Sequence, residues 1–427
     1  MSTRPLAFTN ARIVDPSSDF DGTGTLLVKD GIIESIETSS APESFSKIDC
    51  RDRVIIPGVI DMQVRTGEPG NEHEETLQSA SKAAVAGGVT TMVTSPETDP
   101  VIDDIALVEF IMRNAQANAS NKVHVMGALT KGLEGKEMSE LRLMHSVGAV
   151  GFTNGKKSIS NASIMRRALS YAKDFDGLIV HHVEDHTLTV GGVMNEGEMA
   201  TRLGLPGIPK AAEVIMLERD IRLAELSSGR YHAASISCAE SVEVVRKAKA
   251  RGINVTCGAS FKNLCLNETD IGAYRTFFKL SPPLRLEEDR QAVIEGVRDG
   301  TVDIIHSDHD PRDVDEKRHP FADAADGAVG LETLLPAILR LVHAEDLTLQ
   351  DVVRVLSNKP AELLRLQTGR LAKGKPADFT ILDIDEPWIL EEQNLRSRSK
   401  NTAFEKARFT GRIRATYVDG KLVYEAD

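Results

Sequence analysis

Two short segments of this chain place histidine and aspartate directly after apolar runs that are typical of strands. The segment 181–185 reads H-H-V-E-D and contains His182, and the segment 307–311 reads S-D-H-D-P and contains Asp308 and His309. Imidazole and carboxylate groups are common zinc ligands, and either can act as a general base. A lone strand histidine is more often a hydrogen-bonded core residue, so these residue types alone leave metal chemistry and a structural role both open.

The elements that position such residues are clearest in a βαβ unit near the N-terminus. The apolar run Ile55–Val64 predicts a strand buried on both faces, followed by turn residues and a helix with an apolar stripe. Asn71 and Glu74 have the spacing of a helix N-cap and its third residue. The glycines at 87–88 predict the end of the helix, and Val89–Thr94 predicts the next strand.

Further strand-like runs alternate with helical segments along the middle of the chain. Together with the two strands above, six runs complete a set of eight: Val123–Thr130, Ala149–Asn154, Gly177–Asp185, Tyr231–Ser237, Asn254–Ser260 and Thr301–Asp310. Eight strands without a nucleotide-binding glycine motif favour a closed α/β barrel over an open doubly wound sheet. The polar residues that follow these strands should then meet at the mouth where such barrels place their chemistry.

Composition excludes several classes of function. The formal charge of −13 argues against a nucleic-acid groove, and the basic cluster Arg396–Lys400 is predicted to be a solvated loop. No run approaches the ~18 apolar residues of a membrane span. The four cysteines show no spacing typical of a metal site or a disulfide framework, which fits a cytoplasmic protein.

Sequence motifs around the first barrel strand resemble those of the dihydroorotases in the cyclic amidohydrolase superfamily. The shared letters are P-G-x-x-D at 57–61, E-P-G at 68–70, G-G-x-T-T at 87–91, P-x-T-x-P-V at 96–101, P-P-L-R at 282–285 and P-A-D at 376–378. The resemblance implies a (β/α)8 TIM-type amidohydrolase barrel at residues 56–369. It also implies a small β-sandwich domain built from both termini, residues 1–55 and 370–427.

The departures from this resemblance fall on the residues that the family uses to bind metal. In the family, zinc ions supply a nucleophilic hydroxide and polarise the substrate carbonyl. Four ligand positions are changed, to Gln63, Arg65, Asn154 and Ser235. An amide is a poor zinc ligand, and a guanidinium has no lone pair to donate. A carboxylated Lys156 or Lys157 is disfavoured because both follow the strand end in a turn.

Of the positions that bind metal in the family, only His182 and Asp308 keep a residue able to ligate zinc. The resemblance therefore implies at most one zinc per chain and no other cofactor. Asp308 would be the general base, now vestigial, and His309 a residue on the substrate side. The alternative for Asp308 is an ion pair with Arg65 inside the barrel mouth, and we favour that pairing slightly.

The positions that would contact substrate are changed as well. Gly67, Glu97 and Ser281 replace an arginine and two asparagines of the family, so the clamp for a carboxylated substrate is lost. The predicted pocket comprises His309, Arg65, Gln63, Glu97 and Ser281.

Three hypotheses follow. The first is a non-catalytic dihydroorotase homologue of pyrimidine biosynthesis that acts as a scaffold for aspartate transcarbamoylase and forms homo-oligomers, as degenerate members of the family do. The second is an active cyclic amidohydrolase with one metal on His182 and Asp308 that acts on a substrate lacking the usual carboxylate. His306 and His309 are candidates for a further ligand, and the sequence identifies no certain one. The third is a small-molecule sensor that uses the vacated pocket, and nothing in the sequence selects it.

Overall fold

A computed structural model describes residues 5–37 and 41–426. The strands are β1 Leu6–Asp15, β2 Phe20–Lys29, β3 Ile32–Glu37, β4 Ser46–Asp49, β5 Val54–Pro57, β6 Val59–Val64, β7 Val89–Thr94, β8 Lys122–Ala128, β9 Ala149–Thr153, β10 Leu178–His181, β11 Met194–Asn195, β12 Gly207–Ile208, β13 Arg230–Ala233, β14 Val255–Ser260, β15 Ile304–His306, β16 Phe379–Ile389, β17 Arg408–Val418 and β18 Lys421–Glu425.

The helices alternate with the strands through the middle of the chain. They are α1 Leu77–Ala86, α2 Ile105–Asn118, α3 Leu141–Ser146, α4 Ala162–Lys173, α5 His186–Thr189, α6 Glu198–Leu203, α7 Lys210–Ser227, α8 Ala239–Ala250, α9 Phe261–Cys265, α10 Glu287–Arg298, α11 Val314–Arg318, α12 Leu334–His343, α13 Leu349–Val353 and α14 Lys359–Leu364. A π-helical segment, Arg354–Asn358, joins α13 to α14. Within the described ranges, none of these helices has the length and apolarity needed to traverse a bilayer.

Eight parallel strands form the predicted barrel, in the order β6-β7-β8-β9-β10-β13-β14-β15. Main-chain hydrogen bonds close it beyond the end of β15, where Arg65 N–H donates to His309 O at 2.9 Å and His309 N–H donates to Gln63 O at 3.1 Å. Apolar side chains, among them Met62, Met126 and Val180, fill the interior. The (β/α)8 expectation is confirmed, and the loops after the strands are gathered at one mouth.

A second sheet, largely antiparallel, joins the two ends of the chain. Its order is β18-β17-β16-β5-β1-β2-β3, with β4 pairing with β1. Phe8, Phe379 and Tyr417 pack at its centre with ring centroids 4.7 to 4.9 Å apart. Strands from both termini therefore build one sheet beside the barrel, and the exact domain limits given above stay a prediction.

The strand expected at Ile55–Val64 is two strands in two different sheets. β5 ends at Pro57 in the second sheet and β6 begins at Val59 in the barrel. Between them, a Cβ on Gly58 would lie 2.1 Å from Thr90 Oγ1. Glycine lets the chain pass close to the next barrel strand as it changes sheets, and a continuous apolar run does not reveal this change.

The predicted cap of the first helix is also wrong. α1 begins at Leu77, its N-cap is Thr76, and Thr76 and Ser79 form a reciprocal capping box. Thr76 and Ser79 have the same N-cap to N3 spacing as Asn71 and Glu74. Because Thr76 stands directly before the apolar stripe, the helix begins after Thr76 and not after Asn71. Glu74 instead lies in the barrel mouth, 3.9 Å from the Arg65 guanidinium.

Candidate functional site

A small cavity lies at the mouth of the barrel. Its walls include Gln63, Arg65, Glu97, His182, Asp308 and His309, together with Lys156 and Asp310, which the sequence did not assign to the pocket. The cavity volume is about 40 Å³. At ~10–15 Å³ per water molecule, this is room for about three waters. Of the predicted pocket residues, Gln63, Arg65, Glu97 and His309 come together here, and side chains fill most of the space between them.

Asp310 is the centre of the charged side chains in the mouth. Its carboxylate is 2.9 Å from Lys156 Nζ and 3.2 Å from nitrogens of both Arg65 and Arg312. Only 2% of the side chain is exposed. Burial alone would raise the pKa of the Asp310 carboxyl, but the charges of Lys156, Arg312 and Arg65 hold it far below its usual range. Asp310 is therefore an ionised, fully neutralised carboxylate.

The predicted ion pair between Arg65 and Asp308 is wrong. Asp308 Oδ1 lies 3.2 Å from Lys156 Nζ, and Oδ2 lies 3.8 Å from Lys262 Nζ, whereas Arg65 pairs with Asp310. The Arg65 N–H bonds to the main-chain oxygen of His309. The Arg65 guanidinium therefore lies beside Asp310, the next residue in the chain. Asp308 itself has a left-handed backbone, with φ of 45°, which turns its side chain away from that register.

The loop after β9 carries Lys156 into the mouth. Glu97 Oε1 accepts the Lys156 backbone N–H at 3.2 Å, and Glu97 Oε2 accepts a hydrogen bond from Ser95 Oγ at 2.8 Å. Asn154 Oδ1 accepts the Thr130 N–H at 3.0 Å. Glu97 and Asn154 therefore hold loops in place. The resemblance assigns the position of Glu97 to substrate binding and that of Asn154 to metal binding.

His182, predicted as a metal-type residue, and Ser281, predicted for the substrate pocket, are neighbours. His182 Nε2 lies 3.3 Å from Ser281 Oγ and 3.8 Å from Glu184 Oε2. The imidazole is buried, and it lines the same cavity as Asp308. Its hydrogen bond to a hydroxyl fits the core interpretation of this histidine.

His309 lines the cavity, and its role on the substrate side stays a prediction. Its side chain is fully buried, and Nδ1 accepts the backbone N–H of Gly330 at 3.1 Å. The proton therefore resides on Nε2, which lies 3.5 Å from a carboxylate oxygen of Glu75. The ring links the mouth to the loop before α12, and sequence spacing could not show that its nitrogens face the core.

The basic segment 396–400 is not the solvated loop that we predicted. Arg396 and Arg398 are exposed, but the alternating Ser397 and Ser399 are buried against the mouth. Ser397 Oγ donates to Glu75, and Ser399 Oγ donates to the main-chain oxygen of residue 74 at 2.7 Å. The segment therefore runs along the barrel with its hydroxyls inward and its charges outward.

The residues present do not fit the metal centre that the resemblance implies. Within the described ranges, no group of three or more His, Cys, Asp or Glu side chains is arranged to hold a metal ion. A catalytic zinc site uses about three protein ligands. His182 and Asp308 are the two donors that remain, and the Lys156 ammonium adjoins Asp308. His306, a third ligand in the reduced-site hypothesis, is fully buried and is not part of the cavity lining.

The barrel, its accompanying sheet and the position of the site define a protein of the amidohydrolase superfamily. Two family models match the chain: a dihydro-orotase-like family over residues 52–241 and an amidohydrolase family over residues 298–424.

Relatives along the whole chain agree. A dihydroorotase of Syntrophotalea carbinolica is 41% identical over 98% of this chain and 99% of its own length. A dihydroorotase of Anaplasma phagocytophilum is 39% identical over 99% and 96%, respectively. The chain belongs to the dihydroorotase family.

Solved structures support the fold. An L-hydantoinase (dihydropyrimidinase) from Arthrobacter aurescens superposes with a TM-score of 0.90 at 26% identity, covering 100% of this chain and 96% of its own. A dihydropyrimidinase from Brevibacillus agri gives a TM-score of 0.85 at 18% identity, with coverage of 99% and 95%. The second likeness concerns the fold alone.

Proposed function

We propose that this protein is a non-catalytic member of the dihydroorotase family that acts in pyrimidine biosynthesis as a structural partner of aspartate transcarbamoylase. The observation that carries the proposal is the occupation of the barrel mouth by cations. Arg65 and Lys156 extend toward Asp310 and Asp308, where a hydrolase of this family needs a metal ion and a water molecule.

The remaining residues offer no substitute for that chemistry. Opening a cyclic amide requires an activated water and a group that polarises the carbonyl, and the Asp308 carboxylate that would activate the water is paired with the Lys156 ammonium at 3.2 Å. The cavity volume of about 40 Å³ is well below the ~300 Å³ or more of ordinary ligand pockets. No side-chain cation stands at Gly67, where the family clamps the substrate carboxylate.

The proposed partner role follows from the intact fold. One apolar cluster joins barrel residues such as Val64 and Met92 to Ile56 and Ile413 of the second sheet, so the fold stays packed although the donors in the mouth are lost. An interaction is the simplest explanation for a chain that retains its whole fold without the reaction, and the resemblance to degenerate family members supports aspartate transcarbamoylase as the proposed partner. A stable contact would bury on the order of 1,000 Å² or more.

Co-expression with the aspartate transcarbamoylase of the same organism tests this proposal. We expect the two chains to co-elute in size-exclusion chromatography and the transcarbamoylase to lose activity or stability when produced alone. A transcarbamoylase that is fully active and stable alone, and that never co-elutes, would contradict the scaffold role.

The second candidate is an active cyclic amidohydrolase with a reduced, mononuclear site. Two observations favour it: His182 and Asp308 line one cavity, and relatives near 40% identity carry the name dihydroorotase. Dihydroorotate turnover by the purified protein, with and without added zinc, separates the candidates. Turnover that is abolished by Asp308→Ala would establish the reduced-site enzyme, and its absence supports the first candidate.

A further inference from the structure

One ammonium group bridges the two aspartates that follow β15. Lys156 Nζ lies 3.2 Å from Asp308 Oδ1 and 2.9 Å from Asp310 Oδ2. The two carboxylate side chains are 7% and 2% exposed. The lysine comes from the loop after β9, across the mouth from β15, so the bridge joins two distant segments of the barrel.

Asp308 depends on this ammonium for its charge balance. A buried carboxylate without a cation is costly, and in a metal centre the metal supplies the positive charge. Among the described residues, Lys262 also places an ammonium near the Asp308 carboxylate, but at 3.8 Å. Its ammonium donates to main-chain oxygens of Asp308 and Ala328 at 2.6 and 2.7 Å. Lys156 is therefore the cation in direct contact with the Asp308 side chain.

The loop around Lys156 is shaped for this position. Its backbone N–H is held by Glu97. Gly155 has a φ of 61°, and a Cβ there would lie 2.0 Å from Glu97 Cδ. Glu97 departs from the family motif, and in the structure it contacts both Gly155 and Lys156. These three residues form one arrangement that brings an ammonium to Asp308.

We infer that Lys156 is a built-in cation that takes the place of the metal ion. With this ammonium present, the mouth is charge-balanced without metal, and a divalent ion could approach Asp308 only by displacing it. This role does not depend on the proposed partner, because it concerns the isolated chain.

Thermal unfolding of charge variants tests the inference. We expect Lys156→Met, which keeps the aliphatic length but removes the charge, to lower the midpoint by roughly 5 °C. Lys156→Arg should retain most of the stability. The matched control is Lys157→Met, because the neighbouring lysine is exposed, and its midpoint should equal that of the wild type. Treatment of the wild-type protein with EDTA should leave its midpoint unchanged.

Chemical rescue separates the charge from simple packing. Lys156→Ala removes the part of the side chain that n-propylammonium would replace. We expect n-propylammonium chloride to raise the midpoint of this variant, relative to sodium chloride at equal ionic strength, and to leave the wild type unchanged. The inference is overturned if EDTA destabilises the wild type, if Lys156→Met is as stable as Lys157→Met, or if n-propylammonium acts no better than sodium. If Lys156→Ala does not fold, the methionine variant and the EDTA titration still decide the question.

Discussion

The stability of the barrel mouth should depend more on Asp310 than on Asp308, although the family motif assigns the chemistry to Asp308. In Asp310→Asn the side chain keeps its shape but loses its charge. Three cations then lose a partner, since Lys156, Arg65 and Arg312 all lie within 3.2 Å of the carboxylate.

The magnitude follows from what each cation retains. Removing one side of a buried ion pair costs about 3 to 5 kcal/mol. Lys156 would keep Asp308, and Arg65 would keep only Glu74 at 3.9 Å, so we expect Asp310→Asn to lose about 3 to 5 kcal/mol of unfolding free energy. In Asp308→Asn, Lys156 keeps its shorter contact to Asp310, and the expected loss is about 1 to 2 kcal/mol.

Urea unfolding at pH 7.5, followed by far-UV circular dichroism, measures both losses. The exposed Asp323→Asn serves as a control for the general effect of removing one negative charge near the mouth. The slope with denaturant should stay constant, so that midpoint differences report stability. If Asp308→Asn loses more than Asp310→Asn, the mouth is organised around Asp308, as a metal site would be, and the reasoning is refuted.

Three further predictions concern strain, pH and metal. Gly155→Ala should lose at least 2 kcal/mol because it adds a clash with Glu97 to the ~1 kcal/mol of a left-handed backbone, whereas Gly135→Ala, also left-handed but with open space, should lose only the latter in urea unfolding. Burial lowers the pKa of His232 to about 3 and of His306 to about 4, so stability that is present above pH 6.5 should be lost as the pH falls toward these values. At pH 5 the loss is about 2 kcal/mol per histidine, and changing both to glutamine should flatten the urea midpoint against pH. Elemental analysis of protein purified without added zinc should give less than one equivalent per chain, and two equivalents would contradict the loss of the metal site.

The architecture could be read from the sequence because its signals are local. Apolar runs such as Val89–Thr94 and the glycine stop at 87–88 act within a few residues of the elements that they define. The sequence also showed that Gln63 and Arg65 replace metal ligands of the family, since a guanidinium cannot ligate a metal in any fold. The split at Gly58 was not visible, because only the contact with Thr90 reveals it.

The charge network was decided by the tertiary structure. Lys156 and Asp310 are 154 positions apart, and Arg65 and Asp310 are 245 positions apart. Long cationic side chains can reach several carboxylates around a barrel mouth, so the sequence showed that a cation stood near Asp308 but could not show which one would pair with it. Strand register and the left-handed turn at Asp308 fixed the choice, because they set the direction of each side chain once the eight strands had closed.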